Sequence, residues 1–330
     1  METVLSGIQP TGKLHLGNYI GAIQNWVNIQ NSGKYKCIYM IADVHSLTLY
    51  IGKYKEINDN VIDIYMDLLS CGIDLEKSIL FIQSAVPAHF QLHLILSMLT
   101  PLGWLERNPT FKEKIKELKD KELNNYGFLG YPVLQAADIL LYKGEKVPVG
   151  MDQLPHLEIT REIARRFNYF YNDYFPEPQP LLTPVPKLSG TDGRKMSKSY
   201  NNAIYLSDTP ETITNKLKKF ITDTNKIYKN DPGNPDNCTV YPLYKIFADE
   251  EKVKEVEVEC KKGALGCVQC KKNIANIINK SLEKYREKKS YFLSHKDEVK
   301  EWIVENNRKA NEIATKTINE VYELIGLNYE

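Results

Sequence analysis

One histidine, one asparagine and two closely spaced lysines are the residues best placed by type and spacing to handle a polyphosphate. His15 and Asn18 lie in the run Thr11-Gly12-Lys13-Leu14-His15-Leu16-Gly17-Asn18, between a strand-like segment and a helical pattern. A helix N-terminus offers unpaired amides and the positive end of a dipole, which suits a phosphate. His15 and Asn18, three apart, share one face of the first turn, and both can donate to phosphoryl oxygens. Gly12 lets the chain turn sharply, and Gly17 lets a flat ring lie close to the backbone. The same residues would also serve a plain strand-to-helix turn, satisfying local backbone groups.

The second run is Gly190-Thr191-Asp192-Gly193-Arg194-Lys195-Met196-Ser197-Lys198-Ser199. Lys195 and Lys198 on a glycine-flanked loop can close on a polyphosphate, adding positive charge where negative charge builds during nucleotidyl transfer. Taken alone, such a loop reads first as a solvated basic surface.

Four cysteines form a third group, Cys238, Cys260, Cys267 and Cys270, within 33 residues. In a reducing compartment such a group binds metal more readily than it forms disulfides. Four thiolates can close a tetrahedral zinc site or hold one iron–sulfur cluster, and the spacing leaves both open. Cys37 and Cys71 stand alone among apolar residues and read as small core residues. Residues 261–289 carry nine Lys or Arg against two Glu, a net of +7, beside residues 249–259 with a net of −4. That basic segment suits RNA phosphates, or a solvated helix face.

The elements that must position these groups alternate between strand and helix in the first half. Thr3 to Ile8 and Ser78 to Gln83 read as strands, Val147 to Val149 as the end of one, and Cys37 to Ala42 is a continuous apolar run, as expected of a strand buried on both faces. Helical spacing covers Leu16 to Gln30, Glu56 to Leu69, Gln91 to Leu99 and Gln153 to Phe167. The expected fold is α/β, a Rossmann-like doubly wound parallel sheet that binds ligands beyond its strands' carboxyl ends, with a smaller all-helical domain. A proline-rich stretch with Pro176, Pro178, Pro180, Pro184 and Pro186 follows. No strand pattern appears after about residue 206. Thr209 to Ile221 is helical with Asp208 or Thr209 as cap, and Asp297 to Leu327 carries one apolar stripe. The chain has 330 residues, an apolar share of 42%, a charged share of 26% and a net charge of +1. These values argue against disorder and against a partner chosen by global charge. No apolar run approaches the ~18 residues that span a bilayer, and no secretory signal is visible, so the expected location is cytoplasmic.

The first two runs together resemble the class I aminoacyl-tRNA synthetases. Their first motif usually reads His-Ile-Gly-His, here His15-Leu16-Gly17-Asn18, and their second matches Lys195 to Ser199 letter for letter. The segments Ser6–Gly12, Gly17–Ala22, Phe81–Ser84, Val86–His89, Gly130–Tyr142 and Val147–Gln153 narrow the resemblance to bacterial tryptophanyl-tRNA synthetases, nearly end to end.

That resemblance implies tryptophan activation by ATP and transfer to the 2′-hydroxyl of the terminal adenosine of tRNA(Trp). It implies Asp138 as acceptor for the indole N–H, a sensible reader because indole has one donor and no acceptor. Tyr131 and Gln153 match residues holding the ammonium group, with Gln135 where many members carry Met. Leu5, Gly7, His45, Val147 and Val149 should line the indole pocket. Gln9, Pro10, Thr11, Gly17, Asn18, Gly150, Met151, Asp152 and Leu188 should contact ATP, together with Lys195, Met196, Ser197, Lys198 and Ser199. His15, Asn18, Lys195 and Lys198 would be catalytic, with Mg²⁺ bridging the phosphates. A subset of the family carries nearly this cysteine spacing around a [4Fe-4S] cluster, which is favoured over Zn²⁺. The implied domains are catalytic (1–205), helical and anticodon-binding (206–294), and a C-terminal helix packing back on the catalytic domain (295–330), in a homodimer. The alternatives are a tyrosyl-type synthetase, a related nucleotidylyltransferase, or a non-catalytic RNA-binding metal module.

Overall fold

The computed structural model describes residues 1–48, 54–108, 125–182 and 188–329, without the side chains of Tyr54 and Asp152. Pro184 and Pro186 lie outside the described residues. The chain divides into two compact units that do not follow chain order. The first is Met1–Gly12, Ala22–Pro184 and Phe292–Glu330; the second is Lys13–Gly21 and Val185–Tyr291.

The first unit is built on a five-stranded sheet, all of its paired neighbours parallel, in the order β3-β2-β1-β4-β5. Its strands are β1 (Thr3–Ile8), β2 (Lys36–Ile41), β3 (Ser78–Ile82), β4 (Lys146–Val149) and β5 (Gln179–Leu182). Parallel strands covered by helices lose contact with water on both faces, and all of β2 after Lys36 is buried. The fifth strand runs through the proline-rich stretch. Pro180 lacks the N–H that a central strand must donate, and β5 is an edge strand, where that loss is tolerated.

Helices follow the strands: α1 (Leu16–Asn18), α2 (Gln24–Asn31), α3 (Asp43–Leu47), α4 (Tyr54–Cys71), α5 (Ala88–Leu99), α6 (Leu102–Glu106), α7 (Tyr126–Leu141) and α8 (Leu154–Phe170). The helical spacing from Leu16 to Gln30 is not one α-helix. A π-helical turn, Tyr19–Ile23, separates α1 from α2. Such wide turns are rare and recur at functional sites.

The second unit holds α9 (Pro210–Lys218), α10 (Tyr241–Phe247), α11 (Glu250–Lys261), α12 (Cys267–Ser281) and most of α13 (Glu283–Ser294). Thr209 caps α9 by accepting from the Thr212 N–H, with Pro210 in the first turn. The unit's core is formed by Ile213, Leu217, Phe220, Leu243, Tyr244, Ile274 and Ile278. Among the described residues it contains no named strand. The last helix, α14 (Lys296–Leu324), returns to the first unit. Its stripe of Val299, Ile303, Ala310, Ala314, Ile318 and Val321 is buried, and it packs on β3, α5 and α7. Asn307 accepts from the Ile82 N–H at 2.9 Å, tying α14 to the end of β3.

One glycine is forced by the backbone. α11 ends in a Schellman motif, the Gly263 N–H donating to Cys260 and the Ala264 N–H to Glu259, with Gly263 at φ +76°. A Cβ there would come 2.1 Å from the Asn230 carbonyl oxygen. Gly263→Ala should therefore destabilise the second unit by more than about 1 kcal/mol, read as a lower urea midpoint.

Candidate active site

The phosphate-side residues share the second unit. His15 is the N-cap of α1: its Nδ1 accepts from the Asn18 N–H at 3.2 Å, while Asn18 Oδ1 accepts from the His15 N–H at 3.1 Å. This reciprocal box satisfies two donors at the helix start. It also fixes the tautomer, because a neutral ring that accepts at Nδ1 carries its proton on Nε2. The structural reading of His15 and Asn18 is thus met, and it leaves Nε2–H and the Asn18 Nδ2 as donors. The ring lying against Gly17 is the imidazole of His15 itself, which a Cβ at Gly17 would meet at 2.9 Å. Burial pushes the His15 pKa down to about 4, helped by the charges of Lys198 and Lys195. Both signatures therefore act on one imidazole.

The dibasic loop is stitched from within. The Met196 N–H donates to the Leu188 carbonyl at 2.8 Å, so that carbonyl is already engaged. Met196 is buried, and Ser197 accepts from the Ser199 N–H through its side chain. Arg194 lies over the Tyr200 ring at 4.1 Å and pairs with Asp192. Sequence reasoning overlooked Asn202, which is 1% exposed. It accepts from the Ser197 N–H (2.8 Å) and donates to Asp192 Oδ1 (2.7 Å) and the Lys195 carbonyl (3.2 Å). A polar residue wedged between the loop and the apolar Ala203-Ile204 was the available signal.

The remaining nucleotide-side residues lie in the first unit. Pro10 is buried, Gln9 and Thr11 half-buried, and Gly12 turns the chain at φ +107°. Gly150 caps the short turn Met151–Gln153, and Met151 is exposed. The Asp152 side chain lies outside the description.

The residues expected around the amino acid also lie in the first unit, around Asp138 on α7, which is 2% exposed. His89 Nδ1 stands 2.6 Å from Oδ1 and His45 Nε2 2.7 Å from Oδ2, and the Gln83 amide donates to both at 2.8 and 3.0 Å. Burial alone would raise the Asp138 pKa. The fields and hydrogen bonds of His45 and His89 reverse that and hold it well below the usual carboxylate range. Asp138 is thus an ionised, acceptor-only group in an apolar setting. Leu5 and Val147 are buried within β1 and β4, Val149 and Gln135 are half-buried, and Gly7 is exposed. Tyr131 is buried, and its hydroxyl stands 2.6 Å from His156 Nε2, whose Nδ1 is 3.0 Å from Gln153 Oε1. Gln83 and His89 lay in the segments that carried the resemblance, without a role. His156 was missed; its signal was a polar residue on the buried stripe of α8 with Leu157, Thr160, Ile163 and Phe167.

The four cysteines belong to the second unit. Cys260 is near the end of α11; Cys267 and Cys270 occupy the first turn of α12, and Cys238 follows a short turn after Pro235. Burial raises the Cys260 thiol pKa, and Cys238 and Cys267 add to that; burial pushes Cys270 up to about 12, with all three other thiols contributing. Each of these thiols lies in its neighbours' field. A Cβ at Gly233 would come 2.8 Å from Cys260 Sγ, so backbone closes one side of this group. Four thiols are the donor type that a four-thiolate centre takes. Among the described residues no three Cys, His, Asp or Glu side chains are gathered into a metal-holding group.

A parallel sheet, a strand-to-helix histidine kept neutral and a dibasic loop acting on it together define a nucleotide-activating enzyme of the Rossmann-like class. The profile of the tRNA synthetases class I (W and Y) matches residues 2–283. A tryptophan–tRNA ligase of Thermotoga maritima is 45% identical over 99% of both chains. One from Aquifex aeolicus is 43% identical over 98% of this chain and 99% of its own. The tryptophanyl-tRNA synthetase of Campylobacter jejuni, solved with ADP and tryptophan, superposes with a TM-score of 0.89 at 36% identity, covering 98% of this chain and 100% of that one. The chain belongs to the class I tRNA synthetases (W and Y), among their bacterial tryptophanyl members.

The His15 ring should titrate near pH 4 by NMR, and move toward its ordinary value in Lys195→Ala/Lys198→Ala without reaching it, since burial is the larger cause. Its folded pKa lies below the unfolded ~6.5, so below about pH 6.5 the unfolded chain takes up a proton that the folded chain refuses. His15→Gln should therefore reduce the loss of stability as pH falls from about 6.5 to 4, in urea titrations across that range.

Proposed function

We propose that this chain is a tryptophan–tRNA ligase: it forms tryptophanyl-adenylate and pyrophosphate from L-tryptophan and ATP, then transfers tryptophan to tRNA(Trp). The observation that carries the reading is the buried, ionised Asp138, an acceptor matched to the single donor of an indole. A side chain that displaces one of its donors without supplying another would leave a buried carboxylate short of a partner, which disfavours phenylalanine.

In the first step a tryptophan carboxylate oxygen attacks the α-phosphorus of ATP in line and pyrophosphate leaves. No covalent enzyme intermediate is needed, so positioning and charge stabilisation carry the catalysis. His15 donates from Nε2 and Asn18 from Nδ2 to phosphoryl oxygens. A neutral His15 suits that role, because it donates without a proton to lose near pH 7. Lys195 and Lys198 neutralise the departing pyrophosphate, and Asn202 holds their loop in shape. When bound, Mg²⁺ supplies further neutralisation of the phosphates. Gln9, Pro10, Thr11, Gly17, Gly150, Met151, Asp152 and Leu188 surround the nucleotide; Leu5, Gly7, His45, Val147 and Val149 form the indole pocket. Tyr131, Gln135 and Gln153 hold the α-ammonium and carboxylate end. In the second step the 2′-hydroxyl of the terminal adenosine attacks the adenylate carbonyl and AMP leaves.

Residues 1–205 are the catalytic part, 206–294 the anticodon-binding part and 295–330 a helix belonging to the catalytic part. Exposed Lys261, Lys262, Lys272, Lys280, Lys284 and Lys288 support contact with RNA phosphates around α12 and α13. Cys238, Cys260, Cys267 and Cys270 hold a [4Fe-4S] cluster that fixes this region. The closeness of these thiols, near enough for Cys238, Cys260 and Cys267 to act on Cys270, supports it. The apolar stripe Phe90, Leu94 and Met98, exposed at four-residue spacing on α5, supports a homodimer in the cytoplasm.

ATP–pyrophosphate exchange on anaerobically purified protein should depend on tryptophan and not on tyrosine; exchange with no amino acid overturns the ligase reading. Asp138→Asn should cut kcat/KM for tryptophan at least ~10-fold, because a neutral amide replaces an ionised acceptor. Iron and sulfide should each approach about four per chain; zinc in their place overturns the cluster and leaves the ligase.

A further inference from the structure

The chain Tyr131–His156–Gln153 has a polarity that the ligase reading leaves unused. His156 is 2% exposed and sits in the first turn of α8, just after Gln153 at its N-cap. Its ring meets the Tyr131 ring edge-on, with centroids 5.2 Å apart at 80°. Gln153 Oε1 only accepts, so the His156 Nδ1 beside it carries the ring proton. Nε2 of the neutral ring is then an acceptor, and the Tyr131 hydroxyl donates to it at 2.6 Å. Burial raises the Tyr131 pKa above its ordinary range, so that hydroxyl keeps its proton. With its proton turned toward His156, the Tyr131 oxygen offers only lone pairs to anything else within reach.

We propose that His156 is a positioning residue for amino-acid recognition: it turns Tyr131 into an acceptor, and thereby selects a substrate bearing a protonated α-amino group. The inference rests on the tryptophan reading of this pocket and deepens it. An ammonium group has donors only, so an oxygen held as an acceptor binds it through a charge-assisted hydrogen bond. A tyrosine free to rotate would spend part of its time presenting its proton to the ammonium. Both ring nitrogens take part, so neither an apolar ring nor a hydroxyl can replace His156.

The test uses the full chain in ATP–pyrophosphate exchange with His156→Phe, which keeps a ring and removes both nitrogens, and His156→Gln, whose amide oxygen can take the Tyr131 proton. Two ligands are compared: L-tryptophan, and indole-3-propionate as competitor, which keeps the indole and carboxylate but lacks the ammonium. His156→Phe should raise the tryptophan KM about tenfold, the scale of one charge-assisted hydrogen bond. The ATP KM and the Ki of indole-3-propionate should stay within about twofold of wild type, and His156→Gln should recover most of the loss. In a Tyr131→Phe background, His156→Phe should add no further loss, because the hydroxyl it orients is gone. An equal rise in the tryptophan KM and the indole-3-propionate Ki would reduce His156 to packing and overturn the inference. An unchanged tryptophan KM, or full additivity in the Tyr131→Phe background, would also overturn it. Wild-type protein without tryptophan-dependent exchange would overturn the ligase reading itself, and this inference with it.

Discussion

A single buried charge organises one end of the sheet-bearing unit. An ionised carboxylate removed from water costs several kcal/mol unless hydrogen bonds replace its hydration. Asp138 meets that demand with donors from three other places in the chain: His45 on α3, Gln83 after β3 and His89 on α5. They lie 93, 55 and 49 residues away in sequence. The ends of β2 and β3, the start of α5 and the middle of α7 are therefore locked to one another by the need to satisfy one group. Ligands of parallel sheets bind where strands end, and the charge sits at that edge. Its oxygens are already served by three side chains, so on the proposed reading an indole N–H exchanges with an existing donor. Recognition of that kind penalises side chains that displace a donor without supplying another.

The phosphate side follows a different economy. The bonds between His15 and Asn18 that open α1 are the same bonds that choose the imidazole tautomer. The local structural role and the proposed catalytic one are not competitors here. Capping turns Nδ1 inward, and the only proton of the neutral ring is left on Nε2. Burial and the lysine charges keep the ring neutral. On the proposed reading, the lysines that would stabilise a departing anion thus also keep their neighbour from charging.

Short apolar segments between helical patterns made β1, β2 and β3 legible, β2 most clearly because a strand buried on both faces is a continuous apolar run. The same logic hid β5, since the prolines that signal a loop also occur at a sheet edge. The π-helical turn at Tyr19–Ile23 was invisible because a helical apolar pattern survives one wide turn. Motif residues such as His15, Lys195 and Asp138 were readable because their neighbours form recognisable runs. Gln83, His89, His156 and Asn202 were not, for a physical reason. Each is a lone polar residue whose function is to satisfy another polar residue, and for Gln83, His89 and His156 that partner is 25 to 55 residues away. A one-dimensional pattern carries no record of such a pairing, whereas burial without a partner would be too costly to persist.

The division into two units has a similar origin. Lys13–Gly21 leaves the N-terminal run and joins residues that follow about 170 positions later. The bonds responsible are backbone bonds: Leu16 N–H to the Ile204 carbonyl and Leu206 N–H to the Leu14 carbonyl, both 2.9 Å, flanking a bridge between His15 and Tyr205. Backbone bonds ask nothing of side-chain identity, so no residue pattern announces them. They nevertheless decide that His15 shares a unit with Lys195 and Lys198 while Asp138, Tyr131 and Gln153 lie in the other. The glycine at position 12, with its positive φ, is the last residue before the chain crosses, and the π-helical turn spans its return. These two irregularities, which cost regular secondary structure, stand at the two points where the chain passes between units.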